Sequence, residues 1–296
     1  MSKIFEALRK TEGETAEIAM SVVGSEKEAD TKTTPEPVLE SAPPSDCSPA
    51  DCSPAEEQQA ILTPATQSVP SQPGSPVLPF NWGGERAAEQ YRIVRNKILH
   101  HPQRPRVLLV TSPMPGDGKT INALNLAGAL ALQQGARVLL IDCDFRRSSL
   151  SRLLGIRVTP GLGEVLRGEA AMGASLIRIE QSPNLYVMPP GNASPNPSEL
   201  LSTPNWQVVQ ECCRREFAFV VLDAPPVGTV ADYQLLELAS DGVVLVVRPD
   251  HTNRQLWAKA VATVPAEKQL GVVLNCVENW FLWKTHSYYY YLGDAK

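Results

Sequence analysis

The chain lacks any apolar run of the ~18 or more residues that a bilayer-spanning helix needs, and it lacks the apolar core of a secretory leader near its start. Both absences predict a cytoplasmic chain. It also lacks a surplus of positive charge: 27 Lys and Arg against 32 Asp and Glu leave a formal net charge of −5. That removes the electrostatic basis for binding nucleic acid. The six cysteines (Cys47, Cys52, Cys143, Cys212, Cys213 and Cys276) form no zinc-type C-x-x-C pair and no evident disulfide framework, and they read as reduced thiols. Large apolar residues are scarce over residues 11–79, where Pro, Ser, Thr, Ala and Glu dominate. Asp-Cys-Ser-Pro-Ala occurs twice in tandem there, at 46–50 and 51–55. So little burial cannot offset the entropy of ordering, which predicts a disordered linker kept extended by its prolines.

What is present is a phosphate cradle. The apolar run 107–110 leads into Pro115-Gly116-Asp117-Gly118-Lys119-Thr120, and a helix-like pattern follows. A strand, a glycine-bearing turn and Gly-Lys-Thr at a helix start bring backbone N–H groups and the helix dipole to a triphosphate. Lysine adds a mobile positive charge, and the threonine hydroxyl can ligate Mg²⁺. The usual pattern has glycine where this chain has Pro113. Neither Pro113 nor Pro115 has an N–H to donate, so the cradle must use Met114 and the run from Gly116 to Thr120. This is a variant P-loop, and it predicts nucleotide binding.

Around it the chain divides into four parts. Residues 1–10 pattern as a short amphipathic helix, with Ile4, Phe5 and Leu8 on one side. So short a helix needs a docking surface, either protein or membrane; the alternative is a frayed tail. Residues 11–79 are the linker, 80–279 a globular domain and 280–296 a tyrosine-rich tail. The domain opens with a predicted helix at 85–100, carrying Tyr91, Val94 and Ile98 on one stripe and Glu89, Arg92 and Arg95 on another. Apolar runs at 107–110, 138–141, 185–188, 219–222, 243–247 and 271–274 then alternate with helical patterns. Continuous Val/Leu/Ile runs mark strands buried on both faces, and the alternation predicts a doubly wound α/β fold with a mostly parallel sheet.

Such sheets bind ligands at the carboxyl ends of their strands. Asp142 and Asp144 follow the second run, and Asp223 ends the fourth. A triphosphate with Mg²⁺ needs carboxylates near the metal and one that accepts a hydroxyl proton. Strand-terminal aspartates also serve simply as turn or helix caps, and that reading stays open.

Taken together, these blocks resemble the bacterial tyrosine kinases of capsule and exopolysaccharide export, whose fold is similar to that of the cell-division-site ATPases. The P-loop, the segment 140–146 and the segment 221–227 resemble the Walker A, Walker A′ and Walker B motifs of that family. Glu89, Arg92 and Arg95 match its E-x-x-R-x-x-R pattern, and 195–201 and 271–275 match further segments. The resemblance covers about residues 84–277, and the run Tyr288, Tyr289, Tyr290 and Tyr291 extends it to the tail. Residues 1–8 also look like autokinases paired with exopolysaccharide chain-length proteins.

The resemblance implies roles residue by residue. Met114, Gly116, Asp117, Gly118, Lys119 and Thr120 would cradle ATP, with Lys119 on the β- and γ-phosphates. Asn275 would face the adenine edge, or else be a buried turn asparagine. Thr120 and Asp223 would hold Mg²⁺, with Asp142 and Asp144 also counted among its ligands. Asp142 would act as base toward a tyrosine hydroxyl, with Asp144 assisting at the metal. The four tail tyrosines would be the phosphoacceptors; otherwise they are an aromatic anchor. Glu89, Arg92 and Arg95 would form an interface in a homo-oligomeric ring, or merely a solvated stripe with i,i+3 pairing. An inner-membrane polysaccharide chain-length protein is implied as activator, which would hold the chain peripherally at the inner face of the membrane. Two other readings compete. One is a partitioning- or division-type ATPase switch, against which stands the absence of a lysine early in the P-loop. The other is a non-catalytic nucleotide-binding scaffold of an export complex.

Overall fold

The computed structural model describes residues 64–69, 85–192, 194, 196–228 and 231–277. The predicted N-terminal helix, most of the linker and the tyrosine run lie outside these residues.

Eight strands form one sheet in the order β1-β4-β5-β3-β6-β2-β7-β8. They are β1 (Ala65–Gln67), β2 (Val107–Thr111), β3 (Val138–Asp142), β4 (Ile177–Ile179), β5 (Leu185–Met188), β6 (Phe219–Asp223), β7 (Gly242–Val247) and β8 (Gln269–Leu274). All neighbours run parallel except β4 and β5. Each predicted strand is present, and several run a residue further, so that Thr111, Asp142 and Asp223 fall within the sheet.

Two strands were not expected. β4 is only Ile-Arg-Ile and its Arg breaks the apolar run. β1 lies inside the segment read as linker, pairing Ala65 with Ile177 and Gln67 with Ile179. The linker reading therefore does not hold for Ala65–Gln67. Its pattern is polar because an edge strand needs only backbone partners, and Ala65 and Thr66 are exposed. Gln181 closes the pairing, accepting from Val69 N–H at 3.1 Å and donating to its carbonyl at 2.9 Å.

The helices are α1 (Glu85–Leu99), α2 (Lys119–Ala131), α3 (Leu150–Leu154), α4 (Leu162–Leu166), α5 (Met172–Ser175), α6 (Pro197–Leu201), α7 (Pro204–Glu216), α8 (Asp232–Ala239) and α9 (Arg254–Thr263). They cover both faces of the sheet. On one face Leu109, Ile141, Leu222 and Leu245 pack with Trp206 and Val209 of α7 and Leu236 of α8. On the other, Leu108, Val110, Leu140 and Val221 pack with Ala123, Leu124, Ala127 and Leu130 of α2. Alternate residues of one strand feed opposite cores, which is why these strands read as unbroken apolar runs.

The amino-terminal edge of the sheet is fastened by Asp241. Its Oδ2 accepts the N–H groups of Arg106 and Val107, each at 2.8 Å, and Arg214 Nη2 lies 2.7 Å from its Oδ1. Partial burial works to raise the pKa of this carboxyl, but the Arg214 bonds and the two amide donors outweigh it and hold the value below the ordinary one. Asp241→Ala strands two backbone donors and a guanidinium, so thermal or urea unfolding should show a loss of about 2 kcal/mol. The stability of Asp241 is present above the ordinary carboxylate range and fades as pH falls through its lowered pKa, so the variant's deficit should shrink in acid.

Candidate active site

β2, β3, β6, β7 and β8 all end at one rim, and the residues read as functional converge there. The P-loop bends twice through left-handed backbone, at Gly116 (φ 90°) and Gly118 (φ 96°), the latter capping the start of α2. Only glycine accepts these angles without strain. A Cβ at Gly118 would also collide with Asn275 Nδ2.

Asp117 fixes the shape of the loop. It is fully buried, and its Oδ2 accepts the Met114 N–H at 3.0 Å. Its Oδ1 accepts the Thr252 hydroxyl at 2.8 Å and lies 2.9 Å from His251 Nδ1, which therefore carries the hydrogen. Asn275 Nδ2 donates to the Asp117 carbonyl at 2.9 Å, while Asn275 Oδ1 accepts the Cys276 N–H at 3.0 Å. Expected at an adenine edge, Asn275 thus lies against the P-loop backbone. The Met114 N–H is likewise spent on Asp117, which leaves the run from Gly116 to Thr120 as the cradle's donors.

Behind the P-loop, Asn122 donates to the Gly118 carbonyl at 2.9 Å and accepts the Tyr91 hydroxyl at 2.7 Å, tying α1 to the loop. Burial pushes the Tyr91 phenol up to about 12, against the effect of Asn125. Its hydroxyl stays a donor, which makes Tyr91 a structural brace.

Lys119 reaches into a cluster of aspartates. Its Nζ lies 2.9 Å from Asp144 Oδ2 and 3.5 Å from Asp223 Oδ1. Burial opposes its charge, but Asp223 and Asp144, with Asp142 further off, outweigh that and hold its pKa above the ordinary lysine value. Asp142 and Asp223 are adjacent across the β3–β6 register. Burial first, then the Asp223 charge, pushes Asp142 up to about 7. Burial also raises Asp223, against the pull of Lys119.

The two carboxylates differ in their partners. Asp142 accepts the Ser148 hydroxyl at 2.7 Å and the Asp144 N–H at 3.1 Å. Neither oxygen of Asp223 accepts a hydrogen bond, although both are buried. Buried acceptors of this kind call for a cation. Thr120 stands beside them, its Oγ1 3.4 Å from Lys119 Nζ and 3.2 Å from the Ser149 hydroxyl. Among the described residues no three His, Cys, Asp or Glu side chains form a self-sufficient metal cage. That suits Mg²⁺, which takes one or two carboxylates together with phosphate oxygens.

The cluster opens onto a cleft of about 750 Å³ whose lining includes Gly116, Gly118, Lys119, Thr120 and Asp144. Asp142 is buried behind Ser148, whereas Ser148 itself faces the cleft. Glu89, Arg92 and Arg95 lie away from it. Glu89 and Arg92 form an exposed pair at 2.8 Å, and Arg95 Nη2 lies 3.5 Å from Asn96 Oδ1. Sequence reasoning did not find Ser148, Asn122, His251 or Thr252. The last two follow the run 243–247, and the strand-end rule that singled out Asp142 and Asp223 could have found them.

Residues 106–264 match the AAA domain family. Tyrosine-protein kinase YwqD of Bacillus subtilis is 34% identical over 212 residues, spanning 70% of this chain and 86% of that protein. The succinoglycan biosynthesis transport protein ExoP of Rhizobium meliloti is 35% identical over 175 residues, 57% of this chain and 22% of that protein. The crystal structure of the chimerical protein CapA2B2 superposes with a TM-score of 0.64 at 30% identity, covering 72% of this chain and 93% of that one. A variant P-loop facing strand-end aspartates, in a chain with these relatives, places it in the bacterial tyrosine kinase family.

Proposed function

We infer that this chain is an ATP-dependent protein-tyrosine autokinase that regulates the chain length and export of a capsule or exopolysaccharide, and that it phosphorylates Tyr288, Tyr289, Tyr290 and Tyr291. The observation that carries this reading is the convergence of Lys119, Asp142, Asp144 and Asp223 on the P-loop mouth. Lys119 and the amides from Gly116 to Thr120 hold the triphosphate, with the Lys119 stem long enough to swing from Asp144 to phosphate oxygens. Thr120 and Asp223, assisted by Asp144, would hold Mg²⁺, which supplies charge neutralisation at the β- and γ-phosphates.

Asp142 accepts the phenolic proton. A base with a pKa near neutrality suits that task, and the Ser148 hydroxyl marks where a hydroxyl donor reaches its Oδ2. The tyrosine oxygen bonds to the γ-phosphorus as the bond to the bridging oxygen breaks. Asp142→Asn should keep nucleotide binding and lower the rate of phosphotyrosine formation about a hundredfold. Single-turnover labelling beside an ADP titration measures both.

YwqD is named a tyrosine-protein kinase and ExoP a biosynthesis transport protein. These names support a kinase tied to polysaccharide export, with an inner-membrane chain-length protein as activator. No helix among the described residues is long and apolar enough to cross a membrane. We place the chain peripherally at the inner face of the membrane, through that partner or through residues 1–10. The four-part division at residues 10, 79 and 279, with Ala65–Gln67 of the linker paired into the sheet, belongs to the same reading, as does a ring built on Glu89, Arg92 and Arg95. The test is to incubate the protein with Mg²⁺ and ATP and to map phosphotyrosine by mass spectrometry. Phosphate should appear on Tyr288–Tyr291, and the four-fold Tyr→Phe variant should lose most of it while still binding ATP. ATP turnover without phosphotyrosine, even with the partner's intracellular segment added, would instead establish an ATPase switch.

A further inference from the structure

One wall of the cleft carries charge that the phosphoryl transfer described above does not use. Residues 144–152 contribute Asp144, Arg146, Arg147, Ser148, Ser149 and Arg152 to the lining. The rest of the lining comes from the P-loop and from Pro225 and Pro226, where Lys119 is the sole charged side chain. All three arginines are exposed, in a chain whose net charge is −5. Arg146 is tied to the buried Asp232 at 3.4 Å. Among the described residues, neither Arg147 nor Arg152 has a side-chain ion pair or hydrogen bond in the structure; Arg147 is held only by its backbone N–H, which donates to Asp144 Oδ1 at 3.0 Å. Two free guanidinium groups therefore stand at the mouth of a site whose floor is acidic.

The acceptor makes this placement consequential. Four tyrosines follow one another in the tail. Each phosphate adds a charge of about −1.5 to −2. A segment returning for its second or third phosphate therefore brings growing negative charge toward three aspartates and only one lysine. Without counter-charge, each transfer would repel the next. Guanidinium is the group best shaped to hold a phosphate, through two parallel hydrogen bonds. In an extended segment, residues i and i+2 share a face about 7 Å apart, so one phosphotyrosine can rest on the rim while its neighbour reacts.

We propose that Arg147 and Arg152 form a phosphotyrosine-binding rim that holds an already modified tail of another copy of this chain while a further tyrosine enters the site. The proposal rests on the tyrosine-kinase reading and adds that successive phosphorylations favour one another.

The test is a binding measurement, independent of turnover. Full-length protein carrying Tyr288–Tyr291→Phe and saturated with Mg²⁺–ADP is titrated into two fluorescent peptides of residues 280–296. One is unmodified and one carries a single phosphate on Tyr290. The phosphopeptide should bind at least tenfold more tightly, with an affinity that falls as salt rises. Arg147→Ala/Arg152→Ala should abolish that preference, and the double Lys variant should restore part of it. Equal affinity for the two peptides, or a preference that survives the double Ala variant, overturns the proposal. Loss of ADP binding in that variant also overturns it, by assigning the arginines to the nucleotide. Absence of any phosphotyrosine in the wild-type protein refutes the kinase reading instead, whatever the peptides do.

Discussion

Lys119→Met should reduce tail phosphotyrosine by about 10³-fold or more. Charge developing on a transferred phosphoryl group is stabilised by groups already aimed at it, and loss of one such donor costs about 10² to 10³ even when the donor is neutral. Lys119 is also the sole cation within ion-pair distance of Asp144 and Asp223 among the described residues. Its removal leaves the floor of the site uncompensated as well as the phosphates.

That second effect gives the variant a pH signature. The pKa of Asp223 is already raised by burial, with Lys119 pulling the other way. Without Lys119 it rises further. A carboxyl whose folded pKa exceeds its unfolded value contributes stability in acid and loses it as pH rises through the folded value. The variant should therefore unfold at a lower temperature than wild type at pH 8 and close the gap as the pH falls. Wild-type levels of phosphotyrosine in this variant would remove Lys119 from the site. A stability gap that widened in acid would contradict the charge balance drawn here.

The strands that carry the site were legible because their inner residues are buried on both faces, and only Val, Leu and Ile satisfy that environment over four or five positions. β2, β3 and β6 announced themselves, and with them the strand-end aspartates. β1 was not legible. An edge strand is specified by its partner, β4, more than a hundred residues later, and nothing in Ala-Thr-Gln reveals that pairing. The P-loop was readable as a motif, but its bracing was not. Asp117 was expected only among the residues that cradle ATP. Its bonds to Thr252 and His251 depend on bringing together residues about 135 positions apart. The Asn275 contact with the Asp117 carbonyl has the same origin. Side chains that serve the loop through other side chains have no fixed spacing, so a single sequence does not betray them.

Asp223→Asn should separate stability from activity. Asp142 and Asp223 lie side by side at the ends of β3 and β6, both buried, and Asp223 has the Lys119 ammonium at 3.5 Å and the Thr120 hydroxyl beside it but no well-formed hydrogen bond. Asp142 has an ordinary pKa of 3.8 and a folded value of about 7. Between those values the folded protein holds more protons than the unfolded chain, so stability without nucleotide falls as pH rises from about 4 to about 7. Replacing Asp223 by a neutral isostere removes one of the charges that raise Asp142, while Asp144 still pairs with Lys119. The nucleotide-free variant should therefore melt higher than wild type at pH 8. Each kcal/mol gained is worth about 2–4 °C in a domain of this size. Its stability should also depend less steeply on pH. The same change removes the carboxylate best placed for Mg²⁺, so Mg²⁺–ADP should no longer raise the melting temperature and phosphotyrosine should fall about 10³-fold. A variant that melts lower without nucleotide would show Asp223 to be a structural asset. One that melts higher and still responds to Mg²⁺ would move the metal to Asp144. Only the combined result, a more stable and inactive protein, fits a carboxylate held in an unfavourable place for the sake of the reaction.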